Sequence, residues 1–239
     1  SCVRAGSTPS ASSPDAISTA IDNIKNSNPI INTIDMYTNK GKNSVTYTIP
    51  ANTCKYIIVY KSLSQYPKSG DALSCTNATE LSNFNFDITK DSKEYPVVRV
   101  FKIDDISLSC TLTVQAGGDY GSSGSVVKLI DDIGALANLN VVSTSTTAGN
   151  ITINPNTANY IWTYMSLSQY YYSSSNTVCA PISNLEMITG MSLNYPIESY
   201  SPPNTLCLFK VINTSIAAKF RINSTGDYGN KSIMYKLMS

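Results

Sequence analysis

The sequence contains no histidine and few charged residues of either sign. Histidine is the commonest general base and metal ligand, so its absence excludes most hydrolase triads and zinc sites. Only 14% of the 239 residues are charged, against roughly a quarter in a typical globular domain, and 17 Lys and Arg oppose 16 Asp and Glu. No basic cluster that would bind a phosphate backbone is present. No apolar run approaches a membrane span of roughly 20 residues. We therefore expect no nucleic-acid partner, no membrane span and no cofactor.

Six cysteines and five glycosylation motifs indicate the compartment. The cysteines are even in number and form no close C-x-x-C pair of the kind that holds zinc, so disulfides are the favoured interpretation. They are Cys2, Cys54, Cys75, Cys110, Cys179 and Cys207. Motifs for N-linked glycans begin at Asn77, Asn150, Asn213, Asn223 and Asn230. The chain begins Ser-Cys-Val, as expected of a mature form after signal-peptide removal. We expect a secreted glycoprotein, extracellular or at the cell surface.

An internal repeat defines the domain organisation. Residues 55–66, KYIIVYKSLSQY, align with residues 159–170, NYIWTYMSLSQY, 104 positions later. After a four-residue insertion in the second copy, residues 118–121 and 226–229 both read GDYG. So many matches in order predict two homologous domains. The predicted parts are an N-terminal arm (1–19), domain 1 (20–127) and domain 2 (128–239).

Each copy has the pattern of an all-β fold. Short runs rich in Val, Ile, Thr, Tyr and Phe are separated by Gly, Pro, Asn and Ser. The predicted strands of the first copy are Ile30–Met36, Val45–Ile49, Lys55–Tyr60, Phe84–Ile88, Val97–Ile103, Leu108–Val114 and Ser125–Ile130. Seven short strands in about 100 residues predict two tandem immunoglobulin-like β-sandwiches, of unspecified strand order. The closest helical candidate is Ala16–Lys25.

The repeat also narrows the disulfide pairing. Cys54 and Cys110 align with Ala158 and Ala218, and their joint absence from the second copy predicts that they form a pair. In the second copy the remaining two cysteines then pair with each other, and two cysteines of the first copy are left. The predicted bonds are Cys54–Cys110 and Cys179–Cys207, with Cys2 and Cys75 bonded either within one chain or between neighbouring molecules.

The arm is a candidate subunit contact. Residues 17–24, ISTAIDNI, resemble residues 129–133, LIDDI, which follow the last strand of domain 1. If a neighbouring arm docks where domain 2 ends, the junction inside a subunit is reproduced between subunits, and this head-to-tail contact does not close. The residues assigned to this contact are Cys2, Ile17, Ile21 and Ile24.

Two polar segments are candidate ligand loops. The repeated SLSQY runs either form turns held by hydroxyl groups or bind a sugar, with Tyr stacking on its face. The residues in question are Ser62, Gln65, Tyr66, Ser166, Gln169 and Tyr170. The adjacent carboxylates Asp104 and Asp105 would point to opposite faces of a strand and have no counterpart in the second copy, so we expect no enzyme.

In composition and layout the whole chain resembles the subunits of extracellular fibrils and pilus-like appendages. These are secreted, weakly charged tandem β-sandwiches with a terminal extension that joins neighbours. The resemblance implies a structural subunit of a glycosylated filament, a homopolymer assembled through the arm. The alternative is a monomeric surface adhesin or carbohydrate-binding module. A third interpretation is a secreted recognition domain with a protein partner.

Overall fold

The computed structural model describes residues 13–19, 30–41, 43–63, 66–67, 73–115, 123–170, 177–195, 204–229 and 232–239. Almost all the regular structure is β-strand in antiparallel sheets, which confirms the all-β prediction. Residues 14–19 form a short exposed helix. The predicted helix Ala16–Lys25 overlaps its second half, and the rest of that range lies outside the described residues.

Domain 1 is a two-layer β-sandwich. Its strands are β1 (Thr33–Lys40), β2 (Val45–Ile49), β3 (Tyr56–Ser62), β4 (Leu73–Cys75), β5 (Ala78–Glu80), β6 (Phe86–Lys90), β7 (Lys93–Ile103), β8 (Cys110–Val114) and β9 (Gly124–Ile130), with a 3₁₀ helix at Ser82–Phe84. The large sheet has the order β1-β9-β3-β7-β5, with β6 also paired to β7, and the small sheet has the order β2-β8-β4. Because β9 belongs wholly to this sheet, the structural division falls after Ile130 and not inside the strand, at 127/128.

Domain 2 repeats this arrangement. Its strands are β10 (Val141–Ser145), β11 (Gly149–Ile153), β12 (Tyr160–Met165), β13 (Ser168–Tyr170), β14 (Val178–Ser183), β15 (Leu185–Met187), β16 (Leu206–Val211), β17 (Ala218–Asn223), β18 (Asp227–Gly229) and β19 (Ile233–Met238), with 3₁₀ helices at Gly134–Asn138 and Thr189–Met191. The large sheet has the order β10-β19-β12-β16-β15 and the small sheet β11-β17-β14, while β13 and β18 form a separate ribbon. The five-strand path of the large sheet and the order of the small sheet match those of domain 1, whereas β6 and the β13–β18 ribbon have no counterpart among the described strands of the other domain.

The strand order is not that of an immunoglobulin domain. In that fold, strands A, B, E and D share one sheet, and C, F and G share the other. Here the first and second strands of each domain lie in different sheets, and the last strand pairs with both the first and the third. Within each domain, the first, third and last strands share the large sheet, and the second strand belongs to the small sheet. The β-sandwich prediction is therefore supported, and its immunoglobulin-like detail is not confirmed.

Each large sheet is covered on both faces. In β3, Ile57 and Val59 face the core of domain 1, whereas Tyr56, Ile58 and Tyr60 belong to a cluster that continues into domain 2. Every residue of β3 and of β9 is consequently buried. The molecule thus has four layers, with the two large sheets packed against each other in the middle.

The contact between the large sheets is pseudo-twofold symmetric. The Tyr60 hydroxyl donates a hydrogen bond of 2.6 Å to the carbonyl of Met165, and the Tyr164 hydroxyl donates one of 2.8 Å to the carbonyl of Lys61. Tyr164 and Met165 are the repeat counterparts of Tyr60 and Lys61, so each bond is the copy of the other. The two rings meet with their centroids 5.5 Å apart.

Two serines make a second reciprocal pair. Leu63 N donates to Ser166 Oγ over 3.1 Å, and Leu167 N donates to Ser62 Oγ over 3.3 Å. Each serine therefore satisfies a backbone group of the opposite domain, which would be costly to bury unpaired. This reciprocity is the signature of an isologous interface, here formed within one chain.

Two lysine side chains donate hydrogen bonds across the same interface. Lys128 of β9 donates to the carbonyl of Ser192, and its counterpart Lys236 of β19 donates to the carbonyl of Asn85. Each acceptor directly follows the 3₁₀ helix of the opposite domain. Burial lowers the pKa of both lysines. Both lysine side chains therefore tie one domain to the other.

We predict that alkaline pH separates this interface. Burial raises the pKa of Tyr195 to about 12 and places the pKa values of Tyr60 and Tyr164 well above 10. Because the folded pKa lies above the unfolded value, stability is complete below pH 10 and falls as the pH rises above it. The three tyrosines together should cost about 4 kcal/mol per pH unit, measured by guanidinium unfolding between pH 9 and 11.5.

Tyr164→Phe should reduce this slope by about a third. Tyr66→Phe is the matched control, because Tyr66 is 57% exposed. An unfolding free energy that stays constant up to pH 11.5 would contradict the proposed burial of these hydroxyls.

Candidate functional site

Three cysteines of domain 1 meet at one end of its core. Cys54 and Cys110 are 4% and 2% exposed, and Cys75 lies beside Cys110. All three are free thiols in this structure, so the predicted Cys54–Cys110 bond is not formed. Burial raises the pKa of Cys54 to about 11 and that of Cys75 to about 12, which keeps both thiols neutral near pH 7. Cys2, the other predicted partner of Cys75, lies outside the described residues.

The second predicted pair lies inside domain 2. Cys179 of β14 and Cys207 of β16 are both buried as free thiols, and their side chains lie next to each other. Thr163 lies beside them, with its Oγ1 3.3 Å from the sulfur of Cys179. The predicted partners are therefore neighbours, but no bond joins them.

The alignment of Cys75 with Cys179 is shifted by two residues from the structural match. Cys75 pairs across the small sheet with Leu112, whereas Cys179 pairs with Ile222. Ile222 corresponds to Val114, whose partner in domain 1 is Leu73. The structural counterpart of Cys179 is therefore Leu73, because the loops before β4 and β14 differ in length.

Asn77, a predicted glycosylation site, holds the turn between β7 and β8. Its side chain donates from Nδ2 to the carbonyl oxygens of Asp105 (2.8 Å) and Leu108 (3.4 Å), and its Oδ1 accepts from Asp105 N. Its φ of +53° lies in the left-handed region that Asn tolerates better than most residues. A glycan would be attached to Nδ2, which these bonds already occupy.

Asn184 makes the same bonds in domain 2. Its Nδ2 donates to the carbonyl oxygens of Asn213 (2.8 Å) and Ile216 (3.2 Å), and its φ is +58°. Asn184 is followed by Leu and Glu and lies in no glycosylation motif. The shared geometry therefore assigns Asn77 a structural role that is independent of any glycan.

The remaining glycosylation motifs differ in accessibility. Asn150 on β11 and Asn213 in the turn after β16 are exposed, and Asn223 is half-buried. Asn213 accepts hydrogen bonds from Ser215 through Oδ1, which leaves Nδ2 out of these contacts. Asn230 lies outside the described residues. Asn150 and Asn213 are therefore the best placed to carry glycans.

The residues of the candidate ligand loops differ in their exposure to solvent. Ser62 and Ser166 are buried in the interdomain contact, so they cannot face a ligand. Tyr66 is exposed, and its ring lies 5.5 Å from Lys90 Nζ. Gln65 lies outside the described residues, and so do the side chains of Gln169 and Tyr170. The sequence indicated a polar loop at Ser62 and Ser166. A serine hydroxyl can hydrogen-bond either to the backbone of a turn or to the backbone of another domain, and the sequence pattern is the same in both cases.

One residue of the predicted arm contact is described by the structure, and so is the segment that leads into β1. Ile17 in the helix of residues 14–19 is 49% exposed, while Cys2, Ile21 and Ile24 lie outside the described residues. Just before β1, Ile31 packs against domain 2, where a Cβ on Gly190 would come within 2.3 Å of it. The start of domain 1 thus contacts domain 2 of the same chain.

The outer edge of β1 is the most exposed strand edge. β1 ends the large sheet, and no described strand pairs with its outer side. Its eight residues include exposed Ile34 (46%) and Met36 (50%). The corresponding edge strand β10 is shorter and carries Val142, 49% exposed. These edges present unpaired backbone groups next to apolar side chains.

Two surface clefts are present among the described residues. One of about 500 Å³ lies between β6 of domain 1 and the first residues of β19. The other, of about 380 Å³, is lined by Tyr160, Lys210 and the turn after β16. Within the described ranges, no group of three or more acidic or cysteine side chains could hold a metal ion.

Comparison with known proteins found no matching family model, and no curated protein or solved structure is significantly similar to this chain. Among the described residues, no helix is long and apolar enough to cross a membrane.

We predict that Asn77→Gln destabilises the protein even when no glycan is present. The longer side chain cannot keep both turn bonds at a positive φ, and the loss should be about 2 kcal/mol of unfolding free energy. Unfolding of unglycosylated protein in guanidinium would measure it. Asn150→Gln is the control and should leave stability unchanged. Equal stability of the two variants would refute the structural role of Asn77.

Glycan mapping supplies an independent expectation. After secretion from a eukaryotic cell line, mass spectrometry should find glycans on Asn150 and Asn213 and an unmodified Asn77. High occupancy at Asn77 would show that the turn forms differently in the cell.

Proposed function

We propose that the protein is an extracellular structural subunit, not an enzyme, which assembles with copies of itself into a filament. The observation that carries this proposal is the open edge of β1 with its exposed Ile34 and Met36. An unprotected edge is a template for pairing with another chain, and strand addition is a known mode of assembly.

The β1 edge has the backbone geometry that strand addition needs. A bulge at Ile34 leaves a regular ladder with β9 from Asp35 to Lys40. Met36 N donates to the side chain of Asp35, so this N–H is directed away from β9. Because alternate residues of an antiparallel strand point the same way, the N–H of Thr38 is also directed outward.

Alternate side chains of β1 suit pairing with a second copy. If two β1 strands meet antiparallel around a twofold axis at Thr38, Met36 of each copy lies opposite Lys40 of the other, because directly opposite residues of an antiparallel pair point to the same face. Met36 and Ile34 of both copies then lie along one continuous sheet face.

A filament requires a second contact, because a twofold contact closes after two subunits. We assign that contact to the N-terminal arm (residues 1–19), with Ile17 and Cys2 as candidate contributors. Sparse surface charge supports close packing of like subunits, since few charged groups need to be desolvated.

An extracellular location is part of the proposal. It is supported by the exposed motifs at Asn150 and Asn213 and by the adjacent thiols of Cys179 and Cys207, which an oxidising compartment would join. Covalent glycans and disulfides are accordingly proposed for the secreted form. No partner other than further copies of the chain is proposed for the filament.

We predict that Met36→Lys abolishes assembly. A lysine on an open edge prevents edge pairing, because a second copy would have to bury the charge. Negative-stain electron microscopy of protein at neutral pH without reductant should show filaments for the unaltered chain and single particles for the variant. Thr111→Lys is the control, because Thr111 is exposed but lies on the central strand of the small sheet.

Deletion of residues 1–19 tests the second contact. It should leave dimers in sedimentation velocity, since the β1 edge remains intact. Monomeric, two-lobed particles of the unaltered chain at all concentrations would overturn the filament proposal.

A further inference from the structure

The two sides of the interdomain interface differ at several equivalent positions, and one of these positions lies in the wall of a cleft. Phe86 pairs with Val98, and Leu193 pairs with Leu206. Val98 and Leu206 in turn lie opposite the equivalent residues Tyr60 and Tyr164. Two residues further along the chain, Ile88 in domain 1 therefore corresponds to Tyr195 in domain 2.

Tyr195 fills its side of the interface. It is 3% exposed, and its hydroxyl donates a 2.8 Å hydrogen bond to the carbonyl of Ser123. The ring lies against the backbone of Gly124, where a Cβ would be 2.1 Å from the Tyr195 hydroxyl oxygen. Tyr195 can therefore occupy this position only because residue 124 is a glycine.

The other side holds the cleft of about 500 Å³. Ile88, the counterpart of Tyr195, has a shorter side chain and does not fill the equivalent space. Ser232 takes the position that Gly124 occupies beside Tyr195. The lining has an apolar part, formed by Ile88, Ile233, Met234 and Ala148, and a polar part, formed by Asp87, Thr89, Thr146 and Ser232. A cleft of this volume that combines apolar and polar lining at a domain interface has the character of a ligand site.

We propose that this cleft binds a p-hydroxyphenyl group supplied by a ligand, the group that Tyr195 supplies from within the chain on the opposite side. The cleft is continuous with the interdomain interface, whose aromatic packing it extends. The Cβ of Ser232 keeps a bound ring farther out than Tyr195, with the ring edge over Ile233 and Met234. The ligand hydroxyl then meets the Ser232 side chain instead of a backbone carbonyl. This proposal is independent of filament formation.

The test is titration of the full chain with p-cresol, followed by NMR of isoleucine and methionine methyl groups. We expect saturable shifts at Ile88, Ile233 and Met234, with a Kd on the order of 1 mM for so small a ligand. Nuclear Overhauser effects from the p-cresol ring to the Met234 methyl would locate it without any variant. Shifts that do not saturate, or that occur away from the cleft, would overturn the proposal.

Two variants copy one half of the interface onto the other. Ile88→Tyr with Ser232→Gly should close the cleft and weaken p-cresol binding at least tenfold, while Ser232→Gly alone should retain binding. Tyr195→Ile should open the opposite side and give a second p-cresol equivalent. Unchanged binding in the folded double variant would contradict the assignment. If the double variant does not fold, the nuclear Overhauser effects still decide.

A second titration determines whether the p-hydroxyphenyl group comes from a tyrosine of another chain or from a small phenol. Acetyl-Gly-Tyr-Gly-amide should bind at least as tightly as p-cresol if the natural ligand is a tyrosine of another chain. Binding of p-cresol alone assigns the cleft to a small phenol. Binding of neither would overturn the proposal.

Discussion

The reciprocal contact between the two large sheets is the constraint on which the rest of the structure depends. In an isologous contact each residue meets the copy of its own partner, so Ser62 and Ser166 must both keep a hydroxyl for the other domain's backbone. Replacing either one would leave a buried N–H without its acceptor, which costs about 1–3 kcal/mol. This requirement accounts for the serine that both SLSQY runs share, Ser62 in the first and Ser166 in the second. The interface also buries the outer faces of β3 and β12, the central strands of the two large sheets.

The interface is symmetric in its backbone contacts but not in the volume of its side chains. Trp162 takes the position of Ile58 and donates from its indole nitrogen to the carbonyl of Phe84, with its ring packed against Phe84 and Phe86. At the interface edge, Tyr195 needs Gly124, whereas Ile88 coexists with Ser232. These substitutions come in matched pairs because close packing tolerates neither an added Cβ nor a lost ring without adjustment. The half with the smaller residue is the half that contains a cleft. A duplicated domain can thus acquire a ligand site by failing to fill one of two equivalent positions.

Much of the fold could be predicted from the repeat and the strand pattern, and the reasons for the failures are physical. The alternation in Val45–Ile49 predicted β2 to the residue, since one of its faces is buried and the other is exposed. The three-residue strands β4 and β5 were missed, because they are too short to show any period. The interface could not be recognised, because a strand buried on both faces has the same apolar composition as any core strand. Strand order could not be predicted for a related reason. It depends on which strand edges pair in space, whereas the periodicity of a strand indicates only which of its faces is buried. For the candidate sites, the motif at Asn77 was read as a glycan acceptor, since a structural asparagine and a modified one share the same local sequence.

The isologous interface also limits how copies of the chain can associate. The resemblance between residues 17–24 and 129–133 suggested that the junction between domains recurs between subunits, but the interdomain surfaces are self-complementary and already satisfied within one chain. A neighbouring subunit could reuse them only by displacing a domain. In the proposed filament, polymerisation therefore uses surfaces that this interface leaves exposed, and strand edges are the natural choice because their backbone groups gain a partner without any loss of internal packing. Of the two equivalent edges, β1 offers six regular ladder residues and β10 offers three, after a bulge at the same repeat position in each. That difference makes the edges unequal, and it is the physical reason to place the principal contact between subunits on domain 1.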